Sequence, residues 1–168
     1  MRNGVLALGA ALVFLCATAS GDPCGVVPTG APVTINANPP QPMPTNWTGG
    51  AIEAGTYHMV SYSFYNAGCP YVPSGNDAVG MTLTSTGTGG TIATAYDFTS
   101  GATHSALTQS GTYTTSPGGN MTYAYTCPKA SSFSGHYTAT PTSNGKPATI
   151  ATWSMPPLCG TYYQVFSK

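Results

Sequence analysis

From Ile52 onward, short runs rich in Thr, Tyr and Val are separated by Gly, Pro, Asn and Ser, and no helical period of useful length appears after residue 20. β-Branched and aromatic residues suit a pleated, half-buried surface, so the runs read as strands. They span Gly55 to Asn66, Val79 to Thr86, Thr91 to Thr99, His104 to Ser110, Gly111 to Thr115, Asn120 to Cys127, Gly135 to Thr140, Pro147 to Ser154 and Gly160 to Ser167. Joining the fourth and fifth into one strand bent at Gly111 leaves about eight. In the first strand Tyr57, Met59, Ser61, Ser63 and Tyr65 share one face, and His58, Val60, Tyr62 and Phe64 share the other. Large side chains occur on both, so alternation alone does not settle which face is inside.

Turn chemistry supports hairpins along the whole length. Thr88-Gly89-Gly90, Ser116-Pro117-Gly118-Gly119-Asn120 and above all Asn144-Gly145 supply the positive φ that tight antiparallel connections need. A meander of about eight antiparallel strands hides its edges completely by closing into a small up-and-down, lipocalin-like barrel. The predicted class is therefore all-β, with a two-sheet β-sandwich as the alternative.

The first residues differ in kind. Arg2, an apolar stretch from Gly4 to Leu15 and the small-residue site Cys16-Ala17-Thr18-Ala19-Ser20 read as a signal peptide over residues 1–19. The stretch is too short for a membrane span, and none is expected in the mature chain. The protein is thus expected to be secreted or held at a bacterial envelope, in the periplasm or at the cell surface. Lipidation of Cys16 is the disfavoured alternative, because Leu15 stands where a lipoprotein signal has a small residue. Residues 20–49 carry seven prolines from Pro23 to Pro44 and read as an extended arm. It is expected to be a spacer whose removal leaves the domain folded, unless Cys24 staples it to the barrel. Residues 50–168 form one barrel domain.

Charged residues make up 5% of the chain, with four basic against four acidic. Without a basic cluster, nucleic acid is excluded as a partner on electrostatic grounds. Four cysteines survive processing: Cys24, Cys69, Cys127 and Cys159. An even set in an exported chain reads as two disulfide bonds, and their wide spacing does not fit a structural zinc site.

Candidate chemistry is sparse. His58, His104 and His136 fall on three different predicted strands, which gives no metal site. Asp97, His104 and Ser105 have the residue types of a hydrolase triad without its G-x-S-x-G context. Glu53 and Asp97 could pair as carboxylates only if a barrel mouth brought them together. Asn46-Trp47-Thr48 and Asn120-Met121-Thr122 match the glycosylation pattern, and Trp47 with Trp153 could stack on sugars or simply pack. No catalytic residue, cofactor or metal is assigned, and ligand-binding residues are left unknown.

Gly55-Thr56-Tyr57, Ser110-Gly111-Thr112-Tyr113, Tyr125-Thr126-Cys127-Pro128, Tyr137-Thr138-Ala139 and the closing Tyr163-Gln164-Val165-Phe166-Ser167-Lys168 carry a resemblance. The chain resembles a group of uncharacterised exported small β proteins of myxobacterial type, themselves loosely similar to lipocalin-like barrels. That resemblance implies a Cys69–Cys127 bond, which leaves Cys24–Cys159. Barrel closure makes the first and last strands neighbours and offers Cys69 with Cys159 instead; Cys24 with Cys69 is the third possibility. The expected function is non-enzymatic binding of a small apolar molecule or an envelope partner by the barrel. A structural or adhesive module with a filled core is the alternative, and a hydrolase comes third. The barrel interior discriminates among them.

Overall fold

A computed structural model describes residues 24–65, 68, 73–154 and 160–168; the signal peptide, the Cys16 alternative, Asp22, Cys69 and Cys159 lie outside them. The described chain is all-β: β1 (Val33–Thr34), β2 (Asn36–Ala37), β3 (Gly55–Tyr65), β4 (Asn76–Leu83), β5 (Gly89–Ser100), β6 (Thr103–Ser116), β7 (Asn120–Cys127), β8 (Ser131–Thr140), β9 (Thr149–Ser154) and β10 (Thr161–Ser167). Strands β3 to β10 pair in chain order, and β10 returns to β3, so eight antiparallel strands close the expected up-and-down barrel.

The turns follow their residues. Asn144 and Gly145 both take positive φ, 48° and 73°, between Ser143 and Lys146, as a two-residue hairpin loop of primed type requires. The β4–β5 turn lies a step earlier than the glycine pair suggests, with Thr86 N–H donating to Gly89 C=O. β6 is the single long strand, and its register against β7 shifts between Ser110 and Gly111, where the bend was expected.

The ambiguous first strand is resolved by a bulge. Val165 pairs with Ser61 and Phe166 with Met59, which leaves Val60 unpaired and 54% exposed. One extra residue reverses the alternation. Tyr57 and Met59 before the bulge, and Tyr62 and Phe64 after it, all belong to the core. Large residues on both formal faces of β3 therefore serve one inner face.

At the Gly55 end, β3 pairs with β4 over four residues, from Gly55↔Leu83 to His58↔Gly80. Beyond the bulge these strands part, and the arm enters the gap. β1 pairs antiparallel with β4 through Val33↔Asp77 and Thr34↔Asn76; β2 pairs parallel with β3 through Asn36↔Ser63 and Ala37↔Phe64. Between them Ile35 is buried in the core, its N–H donating to Gly75 C=O at 3.0 Å. Upstream, the arm crosses the outside of β4 at Gly80, where a Cβ would stand 1.8 Å from Pro28 O, so only glycine admits it. Downstream, Trp47 lies over His136, Trp153 and Tyr163 at centroid distances of 6.2, 6.3 and 6.0 Å, and Trp153 Nε1–H donates to Met43 Sδ. The arm is a wrapped and inserted part of the barrel, not a spacer.

Its far end is stapled, but not as the resemblance implies. Cys24 is bonded to Cys127 at the end of β7, so neither Cys69–Cys127 nor Cys24–Cys159 can form. The physical reason is the path of the arm, which starts beside β7 before it crosses to β4. The barrel-closure alternative, Cys69 with Cys159, is the one compatible with this bond, and of the described residues Tyr65 pairs with Thr161.

Two outcomes follow from this architecture. Non-reducing peptide mapping should recover Cys24 linked to Cys127 and Cys69 linked to Cys159, with no alkylatable thiol in the exported protein; any other linkage contradicts the arm's path. Deleting Gly25 to Pro44 removes the burial of Val27 and Ile35, about 1.5–3 kcal/mol each, and should lower the melting temperature by roughly 10 °C or more. A change of only a few degrees would show that the seam closes without the arm.

Candidate functional site

The two ends of the barrel are built differently. At one end, Tyr57, Tyr113 and Tyr137 stand inside with their hydroxyls aimed outward along the axis. They donate to Glu53 O, Thr84 O and Gly50 O at 2.8, 2.9 and 3.0 Å. Gly49 bridges to Thr138, and Ile52 is buried beneath, so the segment after Trp47 seals this end. Glu53 anchors the seal from outside: Thr142 N–H and Oγ1 donate to its carboxylate, and Lys168 Nζ lies 3.6 Å away. The Thr142 bonds, ahead of Lys168, hold its pKa below the usual carboxylate value.

Toward the other end the interior is aromatic and polar. Tyr62, Phe64 and Tyr162 pack at 5.7 and 5.3 Å, while Phe133 stacks on Tyr123 at 4.7 Å and reaches Tyr125 at 5.8 Å. Within the barrel remains a cavity of about 40 Å³, bordered by Val79, Ile92, Thr94, Tyr125, Gln164 and Phe166 among others. That is room for a few water molecules. Thr94 Oγ1 is buried there beside the hydroxyls of Tyr96 and Tyr125. Phe133 and Leu107, 41% and 44% exposed, mark the open rim.

Asp77 is the one buried acid among the described residues. It shares the inward parity of Val79 and Met81, and its Oδ1 has no described partner. Burial, and then the negative charge of Asp97, push its pKa up to about 6. Burial likewise raises Tyr57 to about 12 and drives Tyr96, Tyr123 and Tyr125 upward, so these phenols stay neutral. Nothing in the sequence marks Asp77. Its burial follows from the arm covering β4, which composition does not reveal.

The residues singled out from sequence do not converge. His58 lies on β3, His136 beneath Trp47 on β8, and His104 on β6. Among the described residues no group of three His, Cys, Asp or Glu is placed to hold a metal ion. His104 Nε2 does meet Asp97 Oδ1 at 2.6 Å, but both are exposed, and Ser105 projects from the opposite face of β6. Glu53 sits at the sealed end and Asp97 toward the open one, so no carboxylate pair forms. Trp47 and Trp153 do come together, where they dock the arm.

No protein-family model, curated protein or solved structure matches this chain. Function must be argued from the barrel itself.

Asp77 gives this region a pH signature. Its folded pKa lies above the unfolded value near 3.8, so its contribution to stability is complete below pH 3.8 and lost as pH rises through about 6. Asp77→Asn should flatten the melting temperature between pH 4 and pH 6.5 and raise it by several degrees at pH 7.5. Glu53 acts with the opposite sign in a more acidic window, its stabilisation being lost as pH falls through its lowered pKa. Thermal melts of both proteins across this range check the assignment, and an unchanged slope in the variant rejects it.

Proposed function

We propose that this protein is an exported, non-enzymatic structural or adhesive module of the cell envelope or extracellular space, working through the outside of a filled barrel. The observation that carries this reading is the interior. Pockets for drug-sized ligands run to about 300–1,000 Å³, and the 40 Å³ here is far below that range. The space a lipocalin-like barrel would give to an apolar ligand is occupied by aromatic rings, by Ile35 from the arm and by Ile52 from the segment before β3.

The outer surface supports the same reading. Rows of hydroxyl side chains run across neighbouring strands, with Thr56 bonded to Thr82, Thr84 to Thr91 and Thr122 to Ser134. Such a surface is hydrated without net charge, and among the described residues it shows no continuous apolar band of the outer-membrane kind, its exposed large apolar residues being the scattered Val26, Val60, Leu107 and Phe133. The Cys24–Cys127 bond accords with an oxidising, extracytoplasmic compartment. Among the described residues no helix is long and apolar enough to cross a membrane. Dispersal of the histidines, acids and Ser105 supports the non-enzymatic reading.

The test is a ligand titration. An apolar fluorophore such as anilinonaphthalene sulfonate, and a long-chain fatty acid competing with it, should show no saturable one-to-one binding. The exported protein should also carry no extra mass in native mass spectrometry. Stoichiometric binding that Thr94→Trp abolishes, by filling the residual cavity, would overturn this reading in favour of a small-molecule carrier.

A further inference from the structure

β6 runs past the end of its partner. It pairs with β5 along its whole length, from Gly89↔Thr114 to Ser100↔Thr103, but with β7 only from Ser110 onward. The β5–β6 hairpin therefore projects beyond the barrel wall, and among the described residues no strand lies against β6 from Thr103 to Leu107. Side chains 103–107 are all exposed.

The hydrogen-bond phase says which groups face outward. Ser100 and Thr103 flank the two-residue turn, so Thr103, Ser105 and Leu107 exchange their N–H and C=O groups with β5. Those of His104 and Ala106 point away from the hairpin. Edge strands are commonly blunted by lysine, proline, a bulge or inward charge. Thr103-His104-Ser105-Ala106-Leu107 has none of these, and its histidine is held against Asp97 on the neighbouring strand.

We infer that this edge is a self-association site, pairing antiparallel with β6 of a second copy about a two-fold axis at Ser105. The phase fits that occupant: His104 stands opposite the partner's Ala106, and Ala106 opposite the partner's His104, which are the two residues with free backbone groups. About four backbone hydrogen bonds form around the dyad. On the inner side Leu107 meets the partner's Thr103, a cross-strand pair of an apolar and a β-branched side chain. Without Arg2, which precedes the expected cleavage site, three basic residues stand against four acidic ones, a formal charge of −1 that leaves little long-range repulsion between copies. The edge is short beside a standard interface, so the association is weak and concentration-dependent. It goes beyond the structural reading by naming how copies join, and it holds whatever the interior contains: a ligand found inside would remove that reading and leave this one standing.

Sedimentation equilibrium on the exported protein from micromolar to millimolar concentration should show a monomer–dimer equilibrium. Ser105→Lys sets like charges opposite each other at the dyad and should weaken it at least tenfold while leaving the melting temperature unchanged. In the sheet register assigned here, Ser105 faces its own copy across a non-hydrogen-bonded pair, with Cα atoms about 4.5 Å apart, within disulfide reach. Ser105→Cys should thus cross-link efficiently on oxidation, and Ala106→Cys and Ser132→Cys poorly. A monomer at every concentration, a dimer indifferent to Ser105→Lys, or equal cross-linking at all three positions would each overturn the inference.

Discussion

Backbone hydrogen bonding along the seam between β3 and β4 governs the rest of this structure. An eight-stranded meander has two edges, and leaving either open exposes a row of unpaired donors and acceptors. The bulge at Val60 turns β3 away from β4 after four paired residues, so the two strands cannot close the gap alone. The arm supplies the missing pairs, one short strand to each side, with Ile35 inward between them. Burial of Asp77 and the aromatic filling near β3 both depend on that insertion.

The opposite end shows how a small barrel can be sealed by side chains that are apolar along their length and polar at their tips. Tyr57, Tyr113 and Tyr137 fill volume as rings and use their hydroxyls to hold the segments that cross the end. Replacing such a ring by phenylalanine would keep the filling and free the cap. The same chemistry explains why tyrosine outnumbers phenylalanine in this chain, eleven to five. Tyr57, Tyr113 and Tyr137 each have one end in the core and the other on a backbone carbonyl.

Strand positions and turns were legible because they depend on local signals: alternation, β-branched residues, and glycine or asparagine at positive φ. Closure was legible from the number of hairpins. The inner face of β3 was not, since a bulge changes parity without a residue type that announces it. β8 starts at Ser131, earlier than expected, because Ser131-Ser132-Phe133-Ser134 offers a single strand-favouring residue among serines and is held by pairing with β7. The arm misled for a related reason. Proline rules out long strands, but Val33-Thr34-Ile35-Asn36-Ala37 lies between prolines and needs only two residues on each side of the seam. The disulfide followed from that path, which no spacing of cysteines encodes. As for a site, no sequence signal distinguished Asp77 or the free edge of β6, because both are defined by what does or does not pack against them.

Wrapping of the arm also imposes an order of assembly. The segment from Cys24 to Ala37 precedes every barrel strand in the chain, so it is synthesised ahead of all of them. Its partners, however, are β3, β4 and the end of β7, which come later. A piece that is made first is thus obliged to wait, and only a meander nearly complete offers it a slot. Until then its apolar residues Val27 and Ile35 have nothing of their own to lie against, which makes the newly made chain the form most in need of a holding partner.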